Sequence, residues 1–126
     1  MEAQRLHIEA KTRTNPAFPL VSLADFRYRD GGSVDPRIVV EHPTVTLYCL
    51  DHANHRAIFV ETPTDLDLSH APFLYQTQYD TAQSLIALPY ATLRQLATAI
   101  PFDAQQLILL YSTGRCGSTL VSRAFN

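Results

Sequence analysis

The fold turns on residues 107–125: Leu107-Ile108-Leu109-Leu110-Tyr111-Ser112-Thr113-Gly114-Arg115-Cys116-Gly117-Ser118-Thr119-Leu120-Val121-Ser122-Arg123-Ala124-Phe125. Leu107 to Tyr111 is a continuous apolar run, the pattern of a strand covered on both faces. Ser112 to Thr119 is small or polar apart from one cation, Arg115. Leu120, Val121, Ala124 and Phe125 then share one side of a starting helix. The segment therefore predicts a strand, a glycine-containing loop and a helix N-terminus. In such a loop several backbone N–H groups without intrahelical partners converge on one point, where the helix dipole adds positive potential. Gly114 and Gly117 let the backbone approach a ligand closely. The hydroxyls of Ser118 and Thr119 can donate to a phosphate or sulfate oxygen, and Arg115 supplies a planar cationic fork. Together these residues predict an oxyanion-binding turn.

Known loops can be tested against this spacing. The triphosphatase pattern G-x-x-x-x-G-K-[ST] requires glycine where Ser112 stands and lysine where Ser118 stands, so ATP or GTP hydrolysis does not fit. Gly114 and Gly117 supply only one interval of the dinucleotide pattern G-x-G-x-x-G, and no G-x-S-x-G elbow is present. A phosphatase loop C-x-x-x-x-x-R meets Ser122 in place of arginine, with Arg123 one position late.

Leu109 to Leu120 instead closely resembles the 5′-phosphosulfate-binding loop of the sulfotransferase family, over about 15 residues with their flanks. The resemblance implies a P-loop α/β domain with a parallel sheet. It also implies PAPS (3′-phosphoadenosine 5′-phosphosulfate) as sulfuryl donor. Arg115 would be the catalytic cation, contacting the 5′-phosphate and the bridging oxygen. Gly114, Arg115, Cys116, Gly117, Ser118 and Thr119 would hold the phosphosulfate. Cys116 departs from the serine usual in the family, and a thiol is the weaker donor. The family's 3′-phosphate site, acceptor pocket and general base lie further along the chain, so the sequence reads as the amino-terminal portion of such a protein, inactive alone. Cys116 beside Arg115 at a helix start is also an environment that lowers a thiol pKa, but no partner cysteine or base accompanies it.

Upstream, Tyr75, Tyr79, Ala82 and Ile86 recur at helical spacing, with Ser69 as a candidate N-cap. Pro89 opens a second helix with Leu93, Leu96, Ala97 and Ile100 on one face, closed by Pro101. Earlier still, Arg37 to Glu61 has β character. Ile38-Val39-Val40 is β-branched, and Val45, Leu47 and Cys49 alternate with Thr44, Thr46 and Tyr48. A polar link, Asp51 to His55, leads into Ala57-Ile58-Phe59-Val60, which predicts a hairpin. Residues 1–35 carry several turn signals, among them Asp30-Gly31-Gly32, with short strands expected at Leu6 to Lys11 and Asp25 to Arg29. The expected organisation is a β-rich region over 1–68, a helical segment over 69–104, and an incomplete P-loop domain from 105 to 126. The fold class is α/β, or α+β as the chain stands: an antiparallel hairpin region, two helices, then the first strand–loop–helix of a parallel sheet.

Composition sets the outer bounds. The 126 residues are 46% hydrophobic and 17% charged, which suits one globular domain. Ten Lys and Arg against 12 Asp and Glu leave a net charge of −2, with no basic surplus for a nucleic-acid backbone. The longest apolar run is far short of a membrane span. Two cysteines are too few for a disulfide scaffold, and a cytoplasmic setting is expected. Cys49, His52 and His55, with His42 nearby, are zinc-ligand types, but no second cysteine pair joins them. They read as a polar turn, and no metal is expected. Two functional classes remain: a sulfotransferase-like enzyme with a nucleotide donor and an unspecified acceptor, or a non-catalytic phosphate-binding or protein-interaction module.

Overall fold

A computed structural model describes residues 3–13, 21–71, 73–101, 105 and 107. Five strands form one sheet: β1 (Ala3–Lys11), β2 (Phe26–Val34), β3 (Val45–Asp51), β4 (Arg56–Glu61) and β5 (Ser84–Pro89). Three short helices accompany them: α1 (Ile38–Glu41), α2 (Leu74–Thr81) and α3 (Tyr90–Ala99). The strand order is β2-β1-β5-β4-β3, and every neighbouring pair is antiparallel. This corrects the α/β expectation of a P-loop domain with a parallel sheet: the described residues form an α+β unit. The physical reason is the placement of β5. Two sequential hairpins, β1–β2 and β3–β4, each leave an edge open, and β5 inserts between β1 and β4, antiparallel to both.

Residues 84–89 also correct the helical reading of Ile86. Helix α2 stops at Thr81, and Ser84-Leu85-Ile86-Ala87-Leu88 is buried throughout. As the central strand it is covered on both faces, so it shows a continuous apolar run in place of alternation. Leu85, Ala87, Leu6, Ile58 and Val60 face one core with Phe26 at the start of β2, and Tyr79 of α2 and Val21 and Leu23 of the turn before β2 pack against it. Ile86, Leu88, Ala57, Phe59 and Val45 face the other, under Ile38 and Val39 of α1 and Leu93 and Leu96 of α3. The second predicted helix thus stands where Pro89 and Pro101 bracket it. Burial of each Leu or Ile side chain in these layers contributes about 1.5–3 kcal/mol.

Three further expectations change in detail. Ile38-Val39-Val40 is helical, because Asp35 accepts from the Arg37 amide at 3.0 Å and starts a turn at Pro36 that the chain continues. Asp67, not Ser69, is the cap in its segment: its carboxylate accepts from the Ser69 amide at 2.9 Å and opens a 3-10 turn at Leu68–His70. Asp30-Gly31-Gly32 lies inside β2, where the register against β1 shifts between Gln4 and Leu6. Gly32 has φ +93°, and a Cβ on Gly31 would meet the His7 ring at 2.8 Å, so both glycines serve a bulge in the strand.

Candidate functional site

The predicted oxyanion loop, Gly114, Arg115, Cys116, Gly117, Ser118 and Thr119, lies outside the described residues. Among the described residues, polar chemistry gathers at three places on the sheet.

The most buried of these lies beside a bulge in β3. The register against β4 shifts between Leu47 and Cys49, so Tyr48 and Cys49 both turn to the α2 side while Leu47 is half exposed. This breaks the expected alternation of Val45, Leu47 and Cys49. Tyr48 shares the α2 side with Thr46, and its hydroxyl donates to Asp25 Oδ2 at 2.5 Å, while Arg13 Nη2 donates to the same carboxylate oxygen at 3.2 Å and to the Tyr48 oxygen. Arg13 Nη1 reaches Gln76 Oε1 at 3.0 Å, and its guanidinium lies 4.1 Å from the Tyr79 ring centroid. The Arg13 and Asp25 side chains are only 6% and 10% exposed. Burial, then the Asp25 carboxylate, pushes the Tyr48 phenol upward, so it stays protonated and donates. Burial works against the charge on Arg13, but its contacts with Tyr48 and Asp25 outweigh this and raise its pKa. The cluster ties β1, β3, α2 and the turn before β2 together. Among the described residues Arg13 Nε is buried without a hydrogen-bond partner, but the other charged and hydroxyl groups of the cluster pair with one another, which suits a structural tie.

On the opposite face, Arg5 Nη2 pairs with Glu61 Oε1 at 2.9 Å, and the Ser84 hydroxyl donates to Glu61 Oε2. This joins β1, β4 and β5 across the centre of the sheet.

The third place is a basin of about 270 Å³ at the end of the sheet near the β3–β4 turn, lined by Gln4, Asn54, Arg56, Ala87 and Pro89. Gln4 pairs in register with Ala87, and Arg56 with Pro89, which puts all four on the α2 side of the sheet. Arg56 Nε donates to Asp51 Oδ2 at 2.8 Å and its Nη2 to the Tyr28 hydroxyl at 3.3 Å. Asn54 Nδ2 donates to the same Asp51 carboxylate at 2.9 Å. Hydrogen bonds from Asn54 and then Arg56 hold the Asp51 carboxyl below its usual range.

The cysteine and histidines weighed as zinc ligands do not converge. Cys49 is buried in the core, where burial pushes its thiol up to about 11. His52 and His55 sit exposed on the turn, their rings 6.1 and 6.2 Å from that of Tyr90, and the Tyr90 hydroxyl lies 3.1 Å from His52 Nδ1. Among the described residues no group of three or more His, Cys, Asp or Glu could hold a metal ion. Among the same residues no helix is long and apolar enough to cross a membrane.

Sequence reasoning missed the basin entirely. Arg56 carried one weak signal, a cation directly after a polar turn, and Gln4 carried none. Comparison with protein-family models, curated proteins and solved structures finds no match.

Proposed function

We propose that this chain carries the donor-binding loop of a PAPS-dependent sulfuryl transferase. One observation carries the reading: the order and spacing of residues 109–120, an apolar run followed by Ser112-Thr113-Gly114-Arg115-Cys116-Gly117-Ser118-Thr119 and then Leu120. The reading takes nothing from the antiparallel sheet, which precedes the loop in the chain. Sulfuryl transfer resembles phosphoryl transfer, an in-line displacement in which charge gathers on the leaving oxygen. In this reading Arg115 neutralises that charge, while the amides and hydroxyls around Gly117, Ser118 and Thr119 hold the 5′-phosphate. The net charge of −2 supports a nucleotide substrate over a nucleic-acid chain, and the two cysteines support a cytoplasmic setting. The acceptor and the general base have no assigned residue.

The test is calorimetric titration of the chain with adenosine 3′,5′-bisphosphate, beside Arg115→Ala checked for unchanged circular dichroism. The expected result is saturable binding that weakens by about tenfold or more without the guanidinium, as for loss of a charge-assisted contact. Equal affinity in both proteins removes Arg115 from the site. Binding to phosphate-bearing proteins, with none to the nucleotide, favours the interaction-module alternative.

A further inference from the structure

We propose that the basin over Ala87 binds a small zwitterionic α-amino acid, with the carboxylate on Arg56 and the ammonium at the amide oxygens of Gln4 and Asn54. The inference is independent of the oxyanion loop and rests on how the basin's hydrogen-bonding groups are already used.

Arg56 is anchored from one side. Asp51 takes Nε and Tyr28 takes one N–H of Nη2, and its side chain is 21% exposed. Among the described residues Nη1 has no partner. Nη1 is therefore open, with one further N–H of Nη2 beside it, and these donors suit the oxygens of a carboxylate. A guanidinium oriented in advance by a carboxylate and a phenol loses little freedom on binding. The two amides present the opposite chemistry. Asn54 Nδ2 is engaged by Asp51, and Gln4 lines the basin from the β1 side with an amide that can turn its oxygen inward. The Asn54 carbonyl oxygen is left as an acceptor, and with the Gln4 oxygen turned inward the pair suits a donor-rich group such as an ammonium.

Charge selects further. The Arg56 and Asp51 charges cancel within the basin wall, so a ligand with a net charge gains little overall. The local dipole is still ordered, with a cation on the β4 side and, beyond β1 on the other side, the Asp30 carboxylate of β2, which pairs in register with Leu6. A zwitterion aligns with that dipole. Gln4 and Arg56 lie on strands to either side of β5, two strand spacings or about 10 Å apart between backbones, which leaves room for a short molecule lying across the floor. Ala87 and Pro89 give that floor a small apolar surface for an amino-acid side chain. The volume of about 270 Å³ limits the ligand to a small one.

The test is a titration of the full ¹⁵N-labelled chain with L-alanine, L-serine and L-proline in separate experiments. Ethanolamine, which lacks the carboxylate, and N-acetyl-L-alanine, which lacks the ammonium, are the controls. Saturable shifts at the amides of Gln4, Asn54, Arg56 and Ala87 are expected with at least one amino acid, together with at least tenfold weaker binding of both controls. Arg56→Gln is expected to weaken that binding by about tenfold or more, the loss of a charge-assisted pair. Asn54 is exposed on the turn, so Asn54→Ala keeps the fold and supplies a second variant; a several-fold loss is expected. Absence of saturable shifts with all three amino acids overturns the proposal. So does equal response to the controls, or wild-type affinity in a folded Asn54→Ala together with a folded Arg56→Gln.

Discussion

Replacing Asp25 by asparagine tests whether the buried cluster on β1, β3 and α2 is an ionic tie. Its Oδ2 accepts from Arg13 at 3.2 Å, from Tyr48 at 2.5 Å and from the Ser22 amide at 3.2 Å. At 6% exposure the Arg13 guanidinium has almost no recourse to water. Asp25→Asn keeps the shape and most acceptor geometry but removes the countercharge. Breaking one side of a buried pair typically costs about 3–5 kcal/mol. Tyr48→Phe leaves the two ions in contact and removes only a hydroxyl bonded to charged groups, about 1.5–3 kcal/mol. Arg13→Met combined with Asp25→Asn removes both charges, so the double variant should lose at least 1 kcal/mol less than the two single losses together. Urea unfolding followed by circular dichroism reads the wild type, Asp25→Asn, Tyr48→Phe, Arg13→Met and the double variant. With a slope of about 1–3 kcal/mol per molar urea, a 3 kcal/mol loss moves the midpoint by about 1–3 M. The reasoning fails if Asp25→Asn shifts stability by less than about 1 kcal/mol, or if the two single effects simply add.

Two further outcomes follow from the β3–β4 turn. His55 has φ +53°, the left-handed region that costs a non-glycine residue roughly 1–2 kcal/mol. After the greater unfolded-state freedom of glycine is subtracted, His55→Gly should stabilise the chain by about 0.5–1 kcal/mol and His55→Val should destabilise it, both measurable as urea midpoints. Asp51, held below its usual carboxylate range by Asn54 and Arg56, contributes stability that is fully present above about pH 4, the unfolded value, and is lost as pH falls through the lower folded value. The deficit of Asp51→Asn relative to wild type should therefore shrink as urea midpoints are taken from pH 7 toward pH 3. A constant deficit removes the Asp51 pairing as its source.

The proposed donor loop and the amino-acid basin occupy different parts of the chain and answer to different variants, Arg115→Ala and Arg56→Gln. Loss of one binding event with retention of the other would separate them. Cys49 shows how a single backbone irregularity redirects a side chain. Regular alternation from Val45 and Leu47 would send it to the α1 and α3 side, and the bulge in β3 turns it to the α2 side beside Tyr48.

Local patterns determined several elements correctly. A polar link between two β runs marks the β3–β4 hairpin, and two prolines bracket an amphipathic stripe to define α3. Turn chemistry and periodicity are short-range, so they are legible one segment at a time. The same short range misassigned Ile86, whose spacing from Tyr75, Tyr79 and Ala82 imitates a helical face although it belongs to a strand. Residues 84–89 become a strand because β1 and β4 each offer an open edge, a condition set by segments more than 20 residues away. Tertiary structure alone decided three things: the order β2-β1-β5-β4-β3, the bulge that turns Cys49 to the α2 side, and the placing of Gln4 and Arg56 on either side of β5. Each depends on non-local backbone hydrogen bonds, which leave no periodicity in either of the segments they join.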